Sequence, residues 1–420
     1  DTIEFWPLGL PWVRTFREIS SSLWHMDFTS DSRWLATSFL NQPVRLWPLN
    51  AVDGSPKDLV PEAPSMSVAT HPTRGEILVG TTRGEVLLHT TSDQPTRRLP
   101  GGWREGMAIA APVAFDPQGR RALASPYNAG RGFPDPNQRV IRVWDLESGE
   151  EQVYSIAHLT DADFDGAWFI GFAHDGSLYA PLEGGVLRLT LPAKPGGEIS
   201  SETFSAESAT SRLSRDGKYL LVQASDSTGT HMFRRERLQI FDLVNHTSRR
   251  ITTHGNRMMP GARLDSTGRI LVTGDIDGVV RAGPVTGEEP HLLLGHEGMI
   301  LSLAVSPDGK WIASATEESI RLWPMPDVSK PPLHTLAHDE LIARLDALTN
   351  QQPLYLEPNH KSDNYQQHPY HNTAQGIEER VPGEHGKPYC SQGKSQADQG
   401  REIFSENHQQ LTFPAFPEPG

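Results

Sequence analysis

"GHEGMILSLAVSPDGKWIASATEESIRLWPMP", residues 295–326, is the stretch on which the fold turns. A Gly-His opens it, and in the run that follows Leu301, Leu303 and Val305 fall on one side of an extended strand. Pro-Asp-Gly turns the chain into a second apolar run, "WIASAT", and a third, "IRLW", follows a short polar break. A sheet this small cannot shield both of its faces alone. The stretch is therefore either one isolated hairpin or one copy of something repeated.

It is a copy. Polar turns of the same kind read "SDSR" (30–33), "PTRG" (72–75), "PQGR" (117–120), "HDGS" (174–177), "RDGK" (215–218), "STGR" (266–269) and "PDGK" (307–310). Each is followed by an apolar run and then by a third run such as "VRLWPL", "IRVWDL", "LQIFDL" or "IRLWPM". With Trp47, His89, Trp144, Thr190, Phe241, Gly283 and Trp323 taken as equivalent, the units recur about every 40–55 residues. Three to four short strands at that period indicate a β-propeller, whose sheets lean radially on their neighbours. The expected fold is all-β: a seven-bladed β-propeller of four-stranded antiparallel blades over 20–337.

The motifs "GHEG" (295–298), "VSPDGKWIASA" (305–315), "RLW" (321–323), "RVWDL" (142–146) and "IFDL" (240–243) resemble the WD-repeat (WD40) family. The resemblance implies a structural relay inside a blade, made by a loop His, a second-strand Ser, a turn Asp and the Trp. In the last unit His296, Ser314 and Trp323 match it, with Glu317 where Asp is usual; in the sixth His254, Thr273 and Asp277 match, with Gly283 in place of the Trp. It also implies a non-catalytic scaffold for protein partners, monomeric and without cofactor or metal. The "RLWPL" texture and "PPLHTLAHDELIARLDALTN" (331–350) are similar to propellers joined to bacterial serine/threonine protein kinases, although these residues contain no kinase motif. That likeness implies a ligand-sensing or regulatory domain as the alternative role. "SRLSRDGKYLLVQAS" (211–225) and "LQIFDLVNHTSRRIT" (238–252) resemble peptidase and TolB-like propellers, which implies hydrolase association, but no nucleophile–base–acid set can be placed.

The ends depart from the repeat. Residues 1–19 read as half a blade, with "EFWPL" a third strand and "VRTFREI" a fourth, while "PLHTLAH" (332–338) reads as the last unit's own fourth strand. The half-blade then belongs to an upstream unit of a longer chain, or completes the ring irregularly. "HDELIARLDALTN" (338–350) reads as an amphipathic helix with Leu341, Ile342, Leu345 and Leu348 on one face, a latch against the propeller. Residues 351–420 are rich in Gln, Asn, His, Pro and Gly and read as a disordered tail. Its His360, His368, His371, His385 and Cys390 lack metal-ligand spacing, and "DADFDG" (161–166) lacks the glutamate of a calcium loop.

Charge and composition narrow the function. A net charge of −14 argues against nucleic acid, whose binding depends on neutralising phosphates. No apolar run approaches the ~20 residues that cross a bilayer. One cysteine excludes an intrachain disulfide framework and suits the cytoplasm, an upstream membrane helix being the condition for an extracytoplasmic setting. Two units carry long insertions between their second and third strands, "YNAGRGFPDPNQR" (127–139) and "DSTGTHMFRRER" (226–237). Arg131, Phe133, Phe233, Arg234 and Arg235 are the candidate partner-binding residues, because Arg and aromatics are enriched at interface cores.

Overall fold

The structure, a computed structural model, describes residues 13–16, 23–39, 42–49, 55–91, 94–103, 109–127, 139–157, 170–182, 185–192, 199–205, 209–225, 236–255 and 262–349. Within them lie seven four-stranded sheets, each antiparallel throughout. Blades one to six occupy 23–59, 65–98, 109–155, 171–205, 209–251 and 263–293, each an up-and-down meander in chain order. Blade seven combines Ser302–Val305, Trp311–Ala315 and Ile320–Pro324 with a fourth strand from the other end of the chain.

The turns between first and second strands are built alike. In the last blade Ser306 N–H bonds to Trp311 O, closing the turn. The Ser306 hydroxyl donates to Asp308 at 2.6 Å and accepts from Trp311 N–H at 2.9 Å. Ser214 repeats both bonds with Asp216 and Tyr219. Asp116 and Asp265 use a carboxylate instead, each taking two backbone N–H groups from the far side of the turn. Short polar side chains that bond the local backbone are what hold such turns. Blade four closes one residue earlier, Ala173 N–H reaching Ser177 O. This shortening corrects the expected equivalence there: Leu189, opposite Leu178, holds the Trp323 place, rather than Thr190.

The buried apolar side chains form seven clusters, and each joins two adjacent blades. The ring therefore has no single core. Leu123, Ile141 and Tyr154 of blade three meet Phe172, Leu178 and Leu189 of blade four. Phe28, Leu35 and Trp47 of blade one meet Ala313, Ile320 and Leu322 of blade seven, which closes the circle. Each blade removes its neighbour's apolar face from water, the interaction that a lone blade lacks.

The closing strand corrects the sequence-based expectation. Arg14–Phe16 pairs antiparallel with the third strand of blade seven, in the register Arg14↔Leu322, Thr15↔Arg321 and Phe16↔Ile320. It is the outer strand of the last blade, and not the fourth strand of an upstream unit. Leu333–Thr335, expected in that position, instead makes a single 3-10 turn. Pro331 and Pro332 explain this, since neither can donate a ladder hydrogen bond. Phe16 also packs on Trp47 of blade one at 4.9 Å, and an Arg14 guanidinium N–H donates to Leu49 O. On the turn side the circle is tied again, Asp308 N–H reaching the Ser32 hydroxyl.

The helix α1 spans His338–Thr349, close to the expected bounds, with Asp339 and Glu340 in its first turn. Leu341 and Leu345 are half-buried and Ile342 is 44% exposed, so the apolar face makes shallow contact and not a deep latch. Residues 1–12, the tail at 351–420 and the 161–166 segment lie outside the described residues.

Candidate functional site: the central channel

The side chains that look most like chemistry are struts. In blade seven the Ser314 hydroxyl is fully buried and accepts the Trp323 indole N–H at 2.7 Å, with His296 Nε2 also at 2.7 Å. The other ring nitrogen, Nδ1, faces Ser319 Oγ at 3.5 Å. Glu317, expected as the acidic member, is exposed; the chain turns back to the imidazole two residues later. Burial, and secondarily Arg321, push the His296 pKa down to about 4, so the ring is neutral at pH 7.

Blade six keeps part of the set. His254 Nδ1 lies 3.0 Å from Thr273 Oγ1, and burial followed by Arg281 brings its pKa to about 4. Pro290 fills the space beside Gly283, where a Trp is missing. A second carboxylate, Asp275, lies at the same turn as the expected Asp277. Asp275 is buried, accepts the N–H groups of Asp277 and Val279, and pairs with Arg281 at 2.5 Å. Blade one retains only Thr37, which accepts the Trp47 indole N–H at 2.9 Å. In blade three Ala124 stands at the hydroxyl position, and Trp144 donates to Pro100 O.

The first strands line a cavity of about 240 Å³ on the ring axis. Counting back two residues from the first turn residue of each blade gives one layer of this lining: Asp27, Ala69, Ala114, Gly171, Arg212, Arg263 and Ala304. Four of these seven positions carry no side chain beyond Cβ, which leaves the axis open. The remaining positions are charged. Arg212 and Arg263 come from adjacent blades and are both half-buried. Burial, then the Arg263 charge, holds Arg212 well below the usual arginine range; burial brings Arg263 to about 10, with Asp27 opposing. His25, two residues before Asp27, is likewise lowered well below its ordinary value by burial, then by Arg212 and Arg263.

Arg215 crosses this channel on the turn side. Its guanidinium reaches from blade five to Phe28 O at 3.3 Å, Thr70 Oγ1 at 3.1 Å, His71 O at 3.0 Å and Asp27 at 3.4 Å. Asp27 in turn accepts from Thr70 N–H at 2.9 Å and from the Thr70 hydroxyl at 2.8 Å. One arginine thus ties blade five to blades one and two, on opposite sides of the axis. Asp116, also on the lining, is engaged by Arg121 at 3.2 Å.

None of the channel residues was singled out by sequence. The signal was present: "RLSRDG" and "RLDSTG" put Arg where "LAVSPDG" puts Ala, and only superposing the turns exposes the substitution. Arg131, Phe133, Phe233, Arg234 and Arg235 lie outside the described residues, although their loops are bracketed by described second and third strands. Among the described residues no group of three or more His, Cys, Asp or Glu is placed to hold a metal.

Comparison with known proteins agrees with this geometry. The profile of the WD domain, G-beta repeat, matches residues 287–324. The match begins before the outer strand His291–Leu293 of blade six and ends with the third strand of blade seven, so this sequence repeat spans two blades. No curated protein matches the chain. With that repeat in its last unit and seven like sheets closed in a ring, the chain is a seven-bladed β-propeller that carries a WD40 repeat.

Proposed function

We propose that this propeller is a non-catalytic scaffold that holds a protein partner across one face of the ring. WD-repeat propellers commonly act in this way. The observation that carries the reading is how the blades use their reactive-looking side chains. His296, Ser314 and Trp323, and likewise His254 and Thr273, are buried against each other. A neutral imidazole locked between strands is a strut rather than a base. We assign partner contact to Arg131, Phe133, Phe233, Arg234 and Arg235, on loops that leave the sheets opposite the turns between first and second strands. Arg and aromatic side chains dominate binding energy at interfaces. The protein is taken to be monomeric, and a cytoplasmic setting, testable by fractionation, fits its single cysteine.

The test is a variant carrying Phe133→Ala, Phe233→Ala, Arg234→Ala and Arg235→Ala, with melting checked against the native chain. Partners crosslinked to the native chain in cells should be lost from the variant. Equal recovery would overturn the loop assignment. A second reading, a ligand-sensing domain regulating an attached kinase, is favoured by the charged layer of Arg212 and Arg263 in the channel. A kinase catalytic domain encoded upstream of Asp1 would support it.

A further inference from the structure

The turn of blade two is capped differently from the others. His71 holds the place of Asp116, Ser214, Asp265 and Ser306, its backbone N–H closing the turn on Glu76 O at 2.8 Å. Its Nδ1 accepts Thr73 N–H at 3.1 Å and Arg74 N–H at 2.9 Å. Two donors at Nδ1 fix the tautomer, so Nε2 carries the proton. Nε2 donates to Gly119 O, in the turn of blade three, at 2.8 Å. The ring is 1% exposed and meets Phe115 edge-on at 5.0 Å. A Cβ on Gly119 would lie 2.2 Å from it, so the imidazole packs directly on a residue without a side chain. Where hydrogen bonds join other neighbouring turns, the groups are hydroxyls and backbone: Ser30 Oγ to Arg74 O, His174 N–H to Gly217 O, Ser266 Oγ to Pro307 O and Asp308 N–H to Ser32 Oγ. Only the link from blade two to blade three, among these, passes through a side chain that ionises near neutral pH.

We propose that His71 is a proton-operated joint between blades two and three, whose protonation releases the imidazole from between the two turns. A proton on Nδ1 turns the acceptor of two backbone N–H groups into a donor that faces them. The new charge is also badly placed. Arg74 Nε lies 3.0 Å from Nε2, and Arg215, reaching over from blade five, donates to His71 O. Glu76 Oε2 is 3.7 Å from Nε2 but pairs with Arg74 at 2.9 Å. Asp116, on the turn opposite, is taken up by Arg121 and its own turn N–H groups. Burial, and then Arg74 and Arg215, lower the His71 pKa, against the Gly119 bond and Glu76. The folded pKa therefore lies below the unfolded one, so the joint is complete above about pH 6.5 and is lost as pH falls through the folded value. Arg215 also holds Thr70 Oγ1, so loosening at His71 reaches the brace across the channel. The joint lies on the face opposite the loops assigned to a partner, and stands or falls independently of them.

The experiment is amide hydrogen exchange of the full chain at pH 7.5 and pH 5.0, corrected for the intrinsic pH dependence of exchange. The turn at 306–311, capped by Ser306, serves as the internal reference. Relative to it, residues 70–75 and 116–121 should exchange at least about threefold faster at pH 5.0 than at pH 7.5. His71→Ser, which installs the cap that blades five and seven use, should remove that acid response. A second readout needs no variant: in the native chain with 15N-labelled histidine, His71 Nδ1 should be unprotonated at pH 7.5 and titrate below pH 6.5. No acid response at the two turns, an equal response in the Ser variant, or an Nδ1 that is protonated at pH 7.5 or titrates at or above pH 6.5 overturns the proposal.

Discussion

Replacing Ser314 by Ala removes one oxygen from the last blade, and the structure sets its cost. Ser314 is fully buried, as is the Trp323 indole apart from 4% of its surface, and His296 is 8% exposed. The hydroxyl serves two partners at 2.7 Å each. Its loss leaves an indole N–H and an imidazole nitrogen without their bond to it, in a site closed to water. Each stranded buried group costs about 1–3 kcal/mol, so the expected destabilisation is about 2–4 kcal/mol. Blade three shows why a nearby carbonyl cannot be assumed to rescue it. There Ala124 is tolerated because Trp144 donates to Pro100 O, whereas in blade seven the indole already points at Ser314. Ser314→Thr should stay within about 1 kcal/mol of the native chain, as blades one and six use Thr37 and Thr273 at this place. Urea unfolding followed by tryptophan fluorescence reads both. A Ser314→Ala variant within about 0.5 kcal/mol of native, or a Thr variant as unstable as the Ala variant, would refute the relay as a stabilising unit.

Two further outcomes follow from the same contacts. His296 and His254 each have a folded pKa of about 4, below the ordinary 6.5, so between those values the unfolded chain binds more protons. Their contribution to stability is complete above pH 6.5 and lost as pH falls towards 4, at about 3 kcal/mol per histidine when fully protonated. Urea midpoints that stay level from pH 7 to pH 4, or rise on acidification, would contradict it. The second outcome separates two glycines with the same backbone. Gly217 and Gly309 have φ of +67° and +69°, but a Cβ on Gly217 would lie 2.7 Å from His174 N of the adjacent blade, while one on Gly309 meets nothing within 4 Å. Gly309→Ala should cost about 1 kcal/mol for the left-handed backbone, and Gly217→Ala at least about 2 kcal/mol more. Equal losses in calorimetry would show that the turns do not pack blade on blade.

The blades were legible in the sequence because their period, turns and apolar alternation are local properties repeated seven times. "PDGK", "RDGK" and "STGR" each marked a turn that the structure closes with a side-chain cap. What sequence missed depends on distant pairing. Arg14–Phe16 reads as a strand, but nothing local says that its partner is Ile320 and its neighbours. The one-residue contraction at Ala173–Ser177 shifted the apparent match from Leu189 to Thr190, since both follow an apolar run. Glu317 was named from the family's spacing, whereas Ser319 faces the imidazole through the actual path of its loop, and Asp275, beside the named Asp277, takes the backbone N–H groups of its turn. The channel was invisible for a related reason. Arg212 and Arg263 are 51 residues apart in sequence and become one layer only when the ring closes.

That closure is the central claim, and a disulfide tests it most directly. In a Cys390→Ser background, Thr15→Cys combined with Arg321→Cys places two thiols at directly opposed positions of the closing pair. Opposed residues in an antiparallel pair have Cα atoms about 4.5–5.5 Å apart, inside the range a disulfide spans. Mild oxidation followed by intact-mass and peptide mapping should show an intramolecular 15–321 bond in nearly every chain. Free thiols, or disulfides only between chains, would show that the first strand does not complete the last blade.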